Sequence, residues 1–563
     1  MTSGGMIADA VEKIWGNTSH TAEDFADMLE YPPDPEMGDF ALPCFRLSRE
    51  LRMAPPKIAA ELASAIDGES IADVSADGGY LNFKLSEDSF ASFLAEVEAG
   101  GDSYGSPHSG NGKTVVLDYS SPNISKPFHI GHLGTTVIGH SLKLLHSFAG
   151  YNCIGINYLG DWGTQNGKQI VAFKRWGDRE RVEREGIDAL VELYVRFHRE
   201  AEIDPSLNDE ARAEFKKLEE HDPENIALWK WFIDVSFKEY EVTYKQLGIT
   251  FDSYKGESFY SDKMAPQIEK MKKMGLLKID DGASIVDLSE YNMPPCLILK
   301  RDGSTLYPTR DIAAAVYRHD TYNFDKCIYV TSSAQSLHFA QWFKVVELMG
   351  YDWYDKLVHV PYGTVSIDGA KLATRSGNVV LLKDLFRQSV DKVREIMDEK
   401  NPDLEDRDEV AEAVGVGAII FNYLYNSRIK DINFTLDSAL SFDGNTGPYA
   451  QYTYARTRSI LEKAGSTDLT GGSITAPEER EVIRTLARFP EKVTAALDGY
   501  EPSYITRYII ELCTAFNRFY HNCPILTADN RDSVAMRLRI TAAVSTVLRT
   551  ALHLICMKTP EKI

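Results

Sequence analysis

The sequence predicts an α/β protein in which a parallel-sheet domain carries a helical insertion, follows a small α/β domain and precedes an all-α bundle. Three observations lead there. A β-rich run, a turn and an amphipathic helix recur in order at 114–148, 153–173 and 326–348, the alternation that builds parallel sheets. The stretch 174–250 is charged and helical in pattern and interrupts that series. After Leu385 the apolar spacing is helical to the end of the chain, as in a bundle. At 563 residues the chain exceeds a single core and implies about three or four domains.

In the first part, 1–108, Ile7, Val11 and Ile14 begin an amphipathic helix. Pro55 and Pro56 precede a second helix, Lys57 to Ile66, and Tyr80–Leu85 alternates like a strand. Ser109–Thr114 looks like a phosphate loop, but Pro107 stands where that loop needs glycine, and a strand follows instead of a helix. It reads as a linker turn.

The pivotal stretch runs from Asp118 to His132. Thr114–Leu117 is a buried strand, and Val137, Ile138, Leu142, Leu145 and Phe148 mark a helix after the turn. Strand-to-helix turns of this kind bind nucleotides in open α/β sheets. His129 and His132 are spaced to share one face of the helix's first turn, and Gly131 between them lets a flat ring or a phosphate approach. The helix N-terminus offers unpaired N–H groups to an anion, and protonatable imidazoles there would stabilise charge developing on an α-phosphate.

Further units follow. Cys153–Tyr158 is strand-like, Leu159–Gln165 a loop and Gln169–Phe173 helical. In the insertion, Trp229, Trp231, Phe232, Phe237 and Tyr240 are spaced for packing, and the charge reads as a solvated face. Leu297–Leu299 is a strand and Asp302-Gly303 a hairpin turn. Pro308 places Tyr307 in an extended segment, with Asp311 in the first turn of the next helix. A carboxylate there is often only a partner of the helix dipole, worth ~0.3–1 kcal/mol. Beside a phenol it does more, because a carboxylate can take two parallel N–H bonds from a guanidinium and a phenol oxygen another. Such a fork rejects lysine, whose ammonium is a point donor. Lys326–Val330 is the next strand, and Ser333–Phe339 opens its helix.

His129-Ile130-Gly131-His132 resembles the HIGH signature of class I aminoacyl-tRNA synthetases, and the twelve residues from Ser121 to His132 resemble the form found in arginyl-tRNA synthetases. Asn157–Gln165 and the Gly-Asp-Phe and Gly-Tyr-Leu-Asn-Phe strings of the first part are similar to that family too. The resemblance implies a Rossmann-like catalytic domain at 109–385 with its insertion at about 174–250. It implies a tRNA-contacting accessory domain at 1–108, a connecting segment at 386–445 and an anticodon-binding helical domain at 446–563. It places Tyr307 and Asp311 on the substrate guanidinium, and Asp118, Ser121, Asn123 and Gln335 around the α-amino group.

The second class I signature, KMSKS, falls at Lys371–Asn378 in altered form, with Thr374 where its second lysine belongs and Arg375 adjacent. In the family a lysine just before HIGH substitutes, and Lys126 fits; Lys371 would assist. Gly134 is a further departure, since many relatives carry arginine after His-Leu. The resemblance thus implies His129, His132 and Lys126 in catalysis, and His129, Gly131, His132 and Lys371 on ATP. Substrates and partners are then ATP, Mg²⁺, L-arginine and tRNA(Arg), with a monomer sufficing and no resident metal site. The alternatives are another class I synthetase or HxGH nucleotidylyltransferase, or a non-catalytic tRNA-binding paralogue.

Bulk properties narrow the setting. A formal net charge of -22 argues against loose, non-specific nucleic-acid binding and is neutral on a shape-specific RNA contact. The seven cysteines are scattered without a CxxC pair, which reads as reduced thiols in a cytoplasmic protein. No window approaches ~18 apolar residues, so no membrane span is expected, and Met1–Trp15 lacks the features of a signal peptide.

Overall fold

A computed structural model describes residues 3–563 except 17–18, 33, 35, 67–69, 368–369, 372–379, 403, 466–470 and 529. The chain forms two compact units. One comprises Met1–Tyr104, Ile460–Phe489 and Glu511–Val547, and the other Gly105–Ser459, Pro490–Ile510 and Leu548–Ile563.

The second unit is built on strand β1 (Thr114–Asp118). Val115, Val116 and Leu117 are fully buried, as expected of a strand covered on both faces. β2 (Asn152–Ile156) pairs with it on one side and β3 (Lys326–Ser332) on the other, and β4 (Leu357–Tyr362) lies beyond β3. Every pairing is parallel, so this is the expected doubly wound arrangement. Helix α1 (Leu133–Phe148) connects β1 to β2, whereas the chain returns much later to place β3 on β1's other side. The strand order therefore reverses between β1 and β3, the position where open sheets open a crevice at their carboxyl ends. Asp118, the last residue of β1, stands beside Tyr329 of β3. α1 lies tight on the strand end, because Gly139 leaves room for Tyr119: an added Cβ would overlap that side chain, 2.8 Å from its Cδ2.

The insertion follows α2 (Thr164–Trp176) and ends with the long helix α3 (Pro223–Leu247). Asp222 caps α3 by accepting from the Asn225 N–H at 3.0 Å, Pro223 occupies its first position, and Gly248 closes it in a left-handed conformation. Leu190, Phe197, Leu218 and Phe232 give the insertion its own apolar core. Its charges form a solvated face with pairs such as Arg181–Glu185 at 2.7 Å. Leu277–Asp280, Ala283–Val286 and Cys296–Leu299 then form an antiparallel meander. α4 (Tyr307–Tyr322) and α5 (Ser336–Leu348) flank β3, and Trp342, Val345 and Ile312 from them share a core with Val116 and Cys327 of the sheet. α6 (Leu382–Lys400) and α7 (Arg407–Tyr425) begin the helical part, so the sequence boundary at 385/386 falls inside a helix.

The other unit contains a three-stranded antiparallel sheet of Phe40–Pro43, Tyr80–Leu85 and Ile71–Asp77. Helices Ser3–Trp15, Pro55–Ala65 and Glu87–Gly100 accompany it, which fulfils the expectation of a small α/β fold. Helix Pro477–Ala487 belongs to the same unit: Arg484 Nε donates at 2.9 Å to buried Asp39, which also accepts from the Leu85 N–H at 2.7 Å. Among the described residues, no helix is long and apolar enough to cross a membrane.

Candidate active site

The turn after β1 is held in an uncommon backbone conformation. Ser120, Ser121 and Ser125 have φ of 74°, 52° and 57°, left-handed values that L-residues with side chains adopt only where surrounding contacts enforce them. Those contacts come largely from insertion helix α3. Tyr240 Oη lies 2.7 Å from the carbonyl oxygens of both Asn123 and Lys126, which share its single proton. Ser236 Oγ accepts the Ser125 N–H at 2.9 Å, and Tyr244 Oη lies 2.8 Å from Ser120 Oγ. The Tyr240 ring packs against Phe128 as its spacing suggests, but its hydroxyl is the strut of the turn.

His129 and His132 do not sit in the first turn of an α-helix. His129 is extended, at φ −115° and ψ 168°, and His132 closes a 3-10 turn that precedes α1. Their rings are nonetheless 3.9 Å apart. His132 Nδ1 accepts from the His129 N–H at 3.2 Å, and His129 Nδ1 accepts from the Gly131 N–H at 3.0 Å. With both Nδ1 atoms accepting, the ring proton of each neutral imidazole is on Nε2. Burial holds His129 down at about 4, helped by the nearby Lys126 charge, and holds His132 at about 3, helped by His129 and Lys126. The free protein therefore presents two neutral Nε2–H donors at pH 7, not the cations that the sequence suggested. The ring that approaches Gly131 is His129's own, since an added Cβ would stand 2.7 Å from His129 Cε1.

Beside this turn lies a cavity of about 430 Å³ lined by Asp118, Ser121, Asn123, Tyr307, Asp311 and Gln335, the six residues singled out in the sequence for an amino-acid substrate. His129, His132, Gly131 and Lys126 are outside its lining. Ser121 Oγ donates to Asp118 at 3.1 Å and accepts the Tyr158 N–H at 3.2 Å. Asn123 is pressed onto Gly160, where an added Cβ would overlap its amide oxygen, and the two backbones are paired. Tyr307 is the first residue of α4 rather than part of an extended segment, and Leu306 before it is extended instead. Proline is tolerated at the second position of a helix, so Pro308 displaces the extended residue by one. Asp311 consequently falls in the second turn, too far in for a simple dipole partner.

Nine lining residues escaped the sequence reading, and three of them form ion pairs in the site. Arg318 pairs with Asp118 at 2.7 Å, both almost fully buried. Glu257 pairs at 2.7 Å with Arg310, and burial pushes it up to about 7 against the pull of that guanidinium. His338 Nε2 lies 2.7 Å from Asp311. Of the cavity's three carboxylates, Asp118 and Glu257 face permanent cations, and Asp311 faces a histidine. The site thus holds an anion whose partner in the structure is not a fixed positive charge. Isolated charged residues carry no periodic or motif signal, which is why these partners were not found.

Of the loop at 371–378 the structure describes only the Lys371 backbone; Thr374 and Arg375 lie outside the described residues. On the near side of that loop Val380 accepts the Ile130 N–H at 3.2 Å, and the Leu382 N–H donates to Phe128 at 2.9 Å. Gly134 acquires a physical account: an added Cβ would overlap the Tyr423 hydroxyl and stand 3.1 Å from Tyr362 Cε2.

Residues 96–436 match the family model described as tRNA synthetases class I (R), catalytic domain; residues 450–563 match the DALR anticodon binding domain; and residues 5–85 match the arginyl tRNA synthetase N terminal domain. The chain is 52% identical to an arginine–tRNA ligase of Alkaliphilus metalliredigens over 95% of each chain. It is 51% identical to that of Halothermothrix orenii over 96% of each. Among solved structures it resembles the arginyl-tRNA synthetase of Thermus thermophilus, with a TM-score of 0.83 at 24% identity over 99% of each chain. It also resembles that of Plasmodium falciparum, with a TM-score of 0.81 at 25% identity over 99% of this chain and 98% of the other.

Proposed function

The chain belongs to the arginyl-tRNA synthetase family and has the activity of an arginine–tRNA ligase; from that premise we propose how its residues divide the work. The substrate guanidinium pairs with Asp311, assisted by Tyr307. The observation that carries this reading is the cavity's charge pattern, in which Asp311 is the carboxylate left to a histidine. Asp118, Ser121, Asn123 and Gln335 receive the α-amino group, and all four line the same cavity. The arginine carboxylate then attacks the ATP α-phosphorus. The bond to the bridging oxygen breaks, and pyrophosphate leaves with the electron pair.

His129 and His132 act here as neutral donors through Nε2–H, and Lys126 supplies the fixed positive charge, with Lys371 assisting. In the second step the terminal ribose hydroxyl of tRNA(Arg) attacks the adenylate carbonyl and AMP departs. No protein nucleophile enters, so catalysis is positioning and electrostatics. Mg²⁺ arrives as part of MgATP and neutralises phosphate charge.

Residues 1–108 and 446–563 are the tRNA-contacting regions in this reading, 386–445 connects, and the enzyme works as a cytoplasmic monomer. The test is aminoacylation of total tRNA with labelled arginine and, separately, lysine by the wild type and Asp311→Asn. Arginine-specific charging that the substitution cripples through the arginine KM supports the assignment. Unchanged arginine KM in Asp311→Asn overturns it.

A further inference from the structure

Arg318 is an expensive residue to place where it is. Its side chain is 1% exposed, and a fully buried guanidinium forgoes hydration that one partner seldom repays. Tyr158 and Tyr329 lie beside it, with their ring centroids 5.2 Å and 5.4 Å from its central carbon. Its Nη2 is 2.7 Å from Asp118 Oδ2, yet neither Nη2 nor Nε has a well-angled acceptor. The pair is therefore a Coulombic contact more than a directed hydrogen bond. Asp118 lies at the carboxyl end of β1 and lines the cavity together with Arg318 and both tyrosines. Asp311 faces the pair from the same helix as Arg318, Tyr329 and Cys327 from β3, and Tyr260 from the 257–263 turn.

We propose that Arg318 is the positioning residue of the amino-acid site: packed beside the two tyrosine rings, it keeps the Asp118 carboxylate charged and in place for the substrate's α-ammonium group. This rests on the reading that Asp118 receives that group. The physical need is plain. Burial raises the Asp118 carboxyl above the usual carboxylate range and Asp311 nearby adds to that, while Arg318 and Ser121 pull it back without cancelling the rise. A protonated Asp118 is a poor partner for an ammonium. Without Arg318 the neutral acid gains ground, and arginine binding weakens further as pH falls.

The experiment measures arginine, ATP and tRNA KM values and kcat for the full-length enzyme from pH about 8.5 to about 6.5. Its variants are Arg318→Gln, Arg318→Lys, Asp118→Asn and the double Asp118→Asn/Arg318→Gln. Arg318→Gln should raise the arginine KM at least about tenfold, the loss expected when a hydrogen bond to a charged group fails. ATP and tRNA KM should stay near wild type, and the arginine KM should climb more steeply than wild type as pH drops. Arg318→Lys, which keeps the charge, should restore most of the flatness. The double variant should be no worse than Asp118→Asn alone, since Arg318 acts through Asp118.

A wild-type pH profile in Arg318→Gln, an equal rise in ATP KM, or additive losses in the double variant would overturn the proposal. An Arg318→Gln protein too unstable to assay leaves the decision to Arg318→Lys, whose arginine KM must then follow wild type across the pH range or the proposal fails. Normal arginine KM in Asp118→Asn is a different failure, that of the α-amino assignment itself.

Discussion

Replacing Gly134 by alanine should loosen the start of the signature helix, and the size of the effect follows from its neighbours. The new methyl carbon would stand 2.8 Å from Tyr423 Cζ and 3.1 Å from Tyr362 Cε2, and would overlap the Tyr423 hydroxyl. Relaxed contacts lie at ~3.5 Å or a little less for carbon to oxygen, so the overlapped hydroxyl obliges the α7 ring or the helix to retreat by roughly 1 Å. Tyr423 is 3% exposed and has little room to do so. Overpacking of this kind costs ~1–3 kcal/mol. Alanine recovers at most ~0.5–1 kcal/mol through helix propensity, and less this close to the N-terminus. The net loss is about 1–2 kcal/mol.

Because His132 lies two residues before Gly134, the displacement should also appear in the ATP step. Thermal unfolding should shift down by a few degrees and the ATP KM should rise several-fold, while arginine binding changes less. Tyr423→Phe removes the overlapping oxygen, so Gly134→Ala/Tyr423→Phe should recover much of both losses. An unchanged melting temperature in Gly134→Ala, or a double variant no better than the single one, would refute the steric account.

Asp311→Asn should lower kcat/KM for arginine by roughly a hundredfold or more, as expected when one partner of a buried charge pair is removed, and Tyr307→Phe by about tenfold; steady-state aminoacylation with ATP KM as the internal control checks both. Lys126→Ala should slow adenylate formation by about a hundredfold and Lys371→Ala by less than about tenfold, the scale of removing a principal donor to transition-state charge; the reverse order in single-turnover assays would exchange their roles. His146 is buried and held at about 4, chiefly by burial, so it takes up a proton on unfolding between its ordinary value of about 6.5 and about 4. Its contribution to stability is therefore lost as pH falls from about 6.5 towards 4, by up to ~3 kcal/mol, and His146→Gln should lose melting temperature less steeply than wild type over that window. Gly160→Ala would drive a methyl into the Asn123 side chain, so it should raise the arginine KM while leaving the ATP KM near wild type.

The sequence by itself marked the strands and helices around the parallel sheet, and its family resemblance picked out six residues that line one cavity. Both signals are local: periodicity marks elements, and the short strings that carry the resemblance hold Asp118, Ser121 and Asn123 on one turn and Tyr307 and Asp311 one helical turn apart. Tertiary structure alone decided the rest. It made His129 and His132 neutral donors, because protonation depends on burial and on which nitrogen the backbone occupies, and neither is readable along a chain. It gave the Tyr240 hydroxyl to carbonyls more than a hundred residues away, where its spacing spoke only for packing. It left Asp311 facing a histidine while Arg318 and Arg310 took the other acids, a pattern that exists only once distant side chains share a cavity. A backbone's local preferences act over a few residues, whereas charge and solvation act through space.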